Sequence, residues 1–405
     1  MLKRIAKVVL IVVAISLLLS GIAWASTPEI TIKVNGVALS SEIPPLIVSS
    51  STMVPMRTIC ESIGAGVTWD QRTKTVIATK SGHIVKLQVG NRIPTKDNSP
   101  MKQLDVPAML IEGRTLVPVR CIAEAFGSTV GWNGATRTVD IAYSDIRDGK
   151  TAQDVLNEST ATLDAVTSYK FGGTTKSTLI ISPDQAGSGP MAITQEMTGA
   201  FRKPQEVYVK TTTTASGGGD LLGLGTSGAD VSESYTNGSE YYEKVDGAWE
   251  LVDTQTSSIL NALVGGNTMQ NPNATLTEFK DIATIVAFGD DALVNGKPHY
   301  TIYVKLDPRG FKDYLLNLVT QLAGTDATPE DLALMKEVYG QLLQGMRFDM
   351  AYRVFVDKDT KIADYYETRS IFKMAMEGLG TITSKADSSM SISDLNQPVV
   401  MPVVK

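Results

Sequence analysis

Through the first 145 residues the apolar positions alternate in short runs, interrupted twice by helical spacing. Ile30–Val34 alternates into Asn35-Gly36, the strongest short hairpin signal, and Val37–Leu39 returns. Ala108–Ile111, Glu112-Gly113 and Thr115–Val117 follow the same order. Each copy then shows a Val-Pro dipeptide and apolar residues at i, i+4, Ile59 and Ile63 in one, Ile122 and Phe126 in the other. That spacing makes one apolar helix face and predicts helices over Met56–Ile63 and Val119–Phe126. Proline is tolerated at such a start because the first N–H groups have no intrahelical partner. Gly64 and Gly127 stand where a helix stops in a left-handed residue. A strand with Val67 and Trp69 (Val130 and Trp132), a turn and a closing strand (Thr75–Ala78; Thr138–Ala142) complete each unit.

The two units are one pattern read twice. Met53–Val76 aligns without a gap at a constant offset of 63 residues, the distance from Pro55 to Pro118. Arg57/Arg120, Glu61/Glu124, Gly64/Gly127, Trp69/Trp132 and Thr75/Thr138 coincide. Such self-similarity is read before any other signal because it sets the architecture. Recurrence of the arginine favours a structural role, a pairing with a carboxylate or carbonyl of its own unit. The tryptophans are expected to plug the core, with a glycan platform as the other use of an indole beside a turn.

From Thr151 the pattern changes. Thr151–Val166 reads as a helix. Tyr169–Ser182, Met191–Arg202, Glu206–Thr214, Asp230–Thr236, Glu240–Val245 and Trp249–Asp253 read as half-buried antiparallel strands, rich in Val, Thr and Tyr. A short helix at Ser257–Val264 and strands at Ile282–Phe288 and His299–Leu306 follow. Phe311–Ala323 and Pro329–Met346 are amphipathic helices; the second has Thr328 as N-cap and Glu330 and Asp331 in its first turn. Strands at Phe348–Asp357, Ile362–Met374 and near Thr381–Leu395 close the chain. The fold class is α+β, a small duplicated α+β domain followed by a large curled antiparallel sheet, a half-barrel with inserted helices. A sheet of so many strands must curl, and helices across its hollow face enclose apolar space. Leu315, Leu318, Leu322, Leu332, Met335 and Leu342 are candidates to line that hollow, as are Leu221, Leu222 and Leu224 in the Gly217–Gly228 loop. The alternative is that they simply fill a core.

Composition narrows the classes. The chain has 405 residues, 43% of them hydrophobic, and a net charge of −6, which argues against nucleic acid as a partner. Residues 1–25 have the layout of a secretory signal: Lys3, Arg4 and Lys7, then the apolar Val8–Leu19, then Ala23-Trp24-Ala25 as the cleavage site. Cleavage after Ala25 takes the charge from −6 to −9. The expected domains are therefore 26–145 and 146–405. Export favours a disulfide if Cys60 and Cys121 meet across a pseudo-twofold axis; otherwise they are buried free thiols. His83 and His299 fall short of any usual copper or zinc set, so neither a metal nor a cofactor is expected. Gly223, Gly225 and Gly228 fit a dinucleotide fingerprint but lack its strand–turn–helix setting. No Gly-x-Ser-x-Gly occurs, and no carboxylate pair announces itself.

Gly113–Ile141, GRTLVPVRCIAEAFGSTVGWNGATRTVDI, resembles the copper amine oxidase N-terminal-like or stalk domain of exported bacterial proteins. Gly113, Arg114, Thr115, Leu116, Val117, Pro118, Arg120, Ala123, Glu124, Ala125, Gly127 and Trp132 match its pattern, and the likeness spans Ile30–Tyr143. In the first copy Ser51-Thr52-Met53 replaces Arg-Thr-Leu. The second domain resembles the LolA/LppX-like lipoprotein carriers through Val166–Tyr169, Tyr241–Trp249 and Phe355–Lys361. Together these resemblances imply a secreted or cell-surface, non-enzymatic binding protein, its half-barrel holding an apolar, lipid-like ligand or a partner chain. Cell-wall polymers and envelope proteins are further candidate partners. The alternative is a purely structural envelope protein with a solid core.

Overall fold

The computed structural model describes residues 30–404 apart from residue 40 and the segments 183–188, 218–228, 238–239, 253–283, 323–327 and 377–379. The signal segment, the expected helix at Ser257–Val264 and most of the Gly217–Gly228 loop lie outside the described residues. The N-terminal part comprises β1 (Thr31–Val34), β2 (Val37–Ala38), β3 (Leu46–Val48), β4 (Ser51–Pro55), α1 (Met56–Ser62), β5 (Gly66–Asp70), β6 (Thr75–Lys80), β7 (His83–Gln88), β8 (Thr95–Lys96), β9 (Ser99–Pro100), β10 (Met109–Ile111), β11 (Arg114–Pro118), α2 (Val119–Ala125), β12 (Thr129–Asn133) and β13 (Thr138–Ala142).

The registers recur at the sequence offset. Leu46 faces Met53 as Met109 faces Leu116, and Val67 faces Ala78 as Val130 faces Ile141. The two halves meet where β4 pairs antiparallel with β11, and there Val54 lies opposite its own counterpart, Val117. Helices α1 and α2 pack over this pair, and Ile59, Ile63, Ile122 and Val54 join one core. One expected equivalence fails. The counterpart of β10 is β3, whereas β1 leaves its unit and pairs in parallel with β13. In the first unit the place beside the closing strand is taken by β7, antiparallel to β6.

One expectation, the burial of the tryptophans, is corrected here. Trp69 and Trp132 are 38% and 45% exposed, although each shares a strand face with a valine, Val67 or Val130, that packs against the core: they stand at its rim. Arg57 is exposed and enters no salt bridge among the described residues, and Arg120 reaches only Glu124 of its own helix, at 3.9 Å. Cys60 and Cys121 are free thiols, one buried and one half-buried, so they occupy different environments rather than a bridge. Burial pushes both thiols up, that of Cys121 to about 11.

The second part begins with β14 (Ile146–Arg147), β15 (Lys150–Thr151) and α3 (Ala152–Ala165). Thr151 caps α3 in a reciprocal box with Asp154, satisfying two helix-end donors. The sheet strands are β16 (Ser168–Ser182), β17 (Met191–Arg202), β18 (Glu206–Gly217), β19 (Ala229–Thr236), β20 (Tyr241–Val245), β21 (Ala248–Val252), β22 (Thr284–Phe288), β23 (Ala292–Val294) and β24 (Lys297–Leu306). After α4 (Pro308–Leu322) and α5 (Pro329–Gly345) come β25 (Met346–Asp357), β26 (Ala363–Met376) and β27 (Gly380–Ser393). All are antiparallel in one twelve-stranded sheet, ordered β21-β20-β19-β18-β17-β16-β27-β26-β25-β24-β22, with β23 beside β24. The sheet curls into a half-barrel. The last strand thus sits mid-sheet, between β16 and β26.

The two parts are docked closely. Gly64, at φ +76, ends α1 directly against β22: a Cβ there would sit 1.8 Å from the Phe288 carbonyl oxygen. Its counterpart Gly127, at φ +85, has nothing within 4 Å. Both positions carry the left-handed cost of about 1–2 kcal/mol for an L side chain. Gly64→Ala should add about 1–3 kcal/mol of overpacking that Gly127→Ala lacks. Urea denaturation of both variants checks this; equal losses would mean the two parts do not dock through α1.

Candidate functional site

A strand presents alternate residues to opposite faces, so the sheet has two chemistries. On the helix-covered face, register brings Phe171 opposite Ile392, Tyr366 opposite Met390, and Phe348 opposite Phe372. Val155, Leu156 and Leu163 of α3 and Phe311 of α4 pack onto these residues in one buried cluster. Phe311 and Phe348 stand 4.7 Å apart between ring centroids. Ser159 of α3 accepts the Ala363 N–H at 2.8 Å, tying the helix to β26.

Towards the other ends of the same strands the apolar face continues, but burial falls. Leu179 lies opposite Met191, and Ile181 and Met374 both lie opposite Ile382. Leu179, Ile181, Ile193, Phe372, Met374 and Ile382 are only half-buried. Of the candidate lining residues, Leu315 packs against the buried cluster, and Leu332 and Met335 are half-buried on α5. Leu318, Leu322 and Leu342 lie on α4 and α5, but their side chains are outside the described set. Leu221, Leu222 and Leu224 lie wholly outside the described residues.

The opposite face is polar, and α1 docks on it. Lys305 of β24 is 2% exposed and bonds Asp349 of β25 at 2.6 Å. Glu61 of α1 reaches Lys305 at 3.5 Å and Arg369 of β26 at 2.8 Å. Arg369 also stands 3.6 Å from Asp349, whose second oxygen accepts from Thr58 of α1 at 3.4 Å. Burial pushes the Asp349 carboxyl up, but Lys305 and Arg369 outweigh it and hold it below the usual range. Beside this cluster Lys80 donates to the Phe288 carbonyl at 2.6 Å and pairs with Asp145 at 3.3 Å. Burial lowers the Lys80 ammonium to about 8 in spite of Asp145. Sequence reading missed all of these contacts, whose partners lie up to 308 residues apart.

The two histidines do not meet. His83 is exposed and bonded to Asp97 at 2.7 Å. His299 is fully buried, with Nδ1 2.9 Å from the Lys297 carbonyl and Nε2 2.9 Å from Asp364. Asp357 completes a trio whose ligand atoms lie within 4.8 Å of one another. Both imidazole nitrogens are already engaged, and Asp357 accepts the N–H groups of Asp359 and Thr360 at its turn. The trio therefore reads as a turn anchor.

Residues 33–141 match the family model described as the copper amine oxidase N-terminal domain, a stretch short of half the chain. No curated protein matches the sequence. Among solved structures, LprF from Mycobacterium bovis is similar at 9% identity over 62% of this chain and 96% of its own, with a TM-score of 0.31. A structure titled for lipid–protein interactions in lipovitellin is similar at 8% over 58% of this chain and 26% of its own, with a TM-score of 0.29. A DUF1329 family protein from Desulfovibrio piger shares 8% over 62% and 95%, with a TM-score of 0.24. Superpositions this loose carry no function across. Among the described residues no helix is long and apolar enough to cross a membrane.

The buried ionic cluster gives a pH signature. Removing one partner of a buried pair strands the other charge, at a cost of about 3–5 kcal/mol. Asp349→Asn should lose about that much at pH 7. A carboxyl depressed in the folded state stabilises above its unfolded pKa of about 4, and that contribution is lost as pH falls through the folded value. The gap between native and variant chains should therefore narrow below about pH 4. Urea denaturation at pH 7 and pH 3 measures it; a gap that widens in acid contradicts the assignment.

Proposed function

We propose that this is an exported, non-catalytic binding protein whose half-barrel holds an apolar, lipid-like ligand on its helix-covered face, while the N-terminal units, one module used twice, act as a scaffold. The observation that carries this is the run of half-buried apolar residues, Leu179 to Ile382, continuing the buried cluster beyond its edge. A contiguous apolar surface left partly open marks a ligand or partner site. On the other face its neighbours include the polar Thr178, Lys385 and Lys373, with Ile180 and Ile371 among them. Methionines among the apolar set suit ligands of varied shape, because the thioether chain adapts to its contacts. The resemblance to lipoprotein carriers agrees with this reading. The signal-like residues 1–25 supply the route out of the cell.

Burying an apolar side chain against a ligand is worth about 1.5–3 kcal/mol, so a charge placed there should remove more than tenfold in affinity. Leu179→Asp should abolish uptake of a fluorescent fatty acid, whereas Thr178→Asp, one residue along on the opposite face, should retain it. Native mass spectrometry with solvent extraction of the chain from its own host should show a stoichiometric lipid. A clean apo mass with no uptake by the native chain would favour a solid structural core, and equal loss in both variants would point to unfolding.

A further inference from the structure

On the polar face, between β5 of the first N-terminal unit and the sheet, lies a cavity of about 630 Å³. Thr174 and Ser389 also line a second hollow of about 360 Å³ along β16, β17 and β27, so the two run together as one groove. Met197, Met390 and Tyr352, members of the buried apolar cluster, also contribute to its lining.

Its charges divide into spent and spare. Arg369 is engaged by Glu61 and Asp349, and Arg353 by Glu367. The Nε of each of these guanidiniums is buried without an acceptor among the described residues. Arg57 and Lys176 line the groove, are exposed, and enter no salt bridge among the described residues. Asp387 lies opposite Lys176 and Arg369 in register, a carboxylate among these cations. Unpaired guanidinium and ammonium groups in a cleft call for an anionic group, and the guanidinium fork suits a carboxylate.

Hydroxyls line much of the remaining wall, beside Val67, Ala351 and Glu196. Thr68 and Thr79 face the groove from the N-terminal unit, Thr174 and Ser389 from the sheet, and Thr198 and Ser391 line its extension. Each hydroxyl both donates and accepts. Such a lining fits a ligand bearing donors and acceptors along its whole length. A peptide added to a strand edge needs pockets for alternate side chains, which a wall of Ser and Thr does not supply. A polyphosphate backbone offers acceptors but no donors, so it would leave the accepting side of these hydroxyls unused.

We infer that the groove between the N-terminal unit and the sheet binds an acidic oligosaccharide, a chain of sugars carrying carboxylates, with Arg57 and Lys176 as the anion contacts. Calorimetry of the mature chain with hexagalacturonate, neutral chitohexaose and a hexaglutamate peptide tests it. Hexagalacturonate should bind, chitohexaose more weakly, and hexaglutamate not at the same concentrations. Arg57→Ala and Lys176→Ala should each weaken hexagalacturonate by about tenfold or more, the scale of one charge-assisted hydrogen bond, with unchanged melting temperature. Leu179→Asp should leave this binding intact, which separates the groove from the lipid reading. Three results would overturn the inference: no glycan binding at millimolar concentration, binding indifferent to both variants, or hexaglutamate as tight as the glycan.

Discussion

The structure depends on a buried ionic contact, Lys305 with Asp349, Glu61 and Arg369, at the junction of α1 with the sheet. Burying the polar face of a sheet costs free energy unless every charge on it finds a partner. Here two cations from β24 and β26 meet two carboxylates, one from β25 and one from α1, with Thr58 on the remaining oxygen. The cluster contributes specificity more than raw stability, since a well-packed apolar patch of the same volume would serve stability as well. What it fixes is which face of the sheet the N-terminal unit covers. That choice leaves the apolar face to α3, α4 and α5.

Once one face is assigned, period-two alternation does the rest. A one-residue slip of β16 would send Tyr169, Phe171 and Leu179 to the scaffold side and Lys170, Thr174 and Lys176 into the hollow. Thirteen paired residues between β16 and β27 hold the register against that. The chain end adds a clamp: Asn396 accepts from Thr167 at 2.8 Å and Ser168 bonds Gln397 at 2.6 Å, at the start of β16. The apolar and polar grooves are thus two sides of the same strands, and ligands on each would meet the same backbone from opposite directions.

Most of the elements were legible in the sequence because their signals are local. Alternation over Met191–Arg202, the glycine stops at Gly64 and Gly127 and the Asn295-Gly296 hairpin all appear where the pattern placed them. The 63-residue offset carried the registers of both units. What failed depends on which surface ends up covered. Trp69 was expected inside because a large ring ordinarily seeks burial, yet it stands at the rim of the core. Arg57 was read within its own unit, and nothing in the local sequence indicates that Lys305 and Arg369 reach Glu61 from the second part of the chain. The β1–β13 pairing was missed for the same reason: a parallel contact over a hundred residues leaves no local trace.

The two copies show what docking does to a repeated pattern. Glu61 spans the junction, while Glu124 reaches only Arg120 on its own helix at 3.9 Å, an exposed i, i+4 pair worth a few tenths of a kcal/mol. Gly64 abuts the Phe288 backbone, while Gly127 faces open space. Identical residues in equivalent backbone positions therefore carry unequal energetic weight, set by what lies against them. Arg57 completes the contrast. Its counterpart finds a helix neighbour, but Glu61 is drawn off to Lys305 and Arg369, so the same side chain in the docked copy enters no salt bridge among the described residues and lines the groove. Docking of one copy thus both builds the groove and leaves its arginine exposed along the lining.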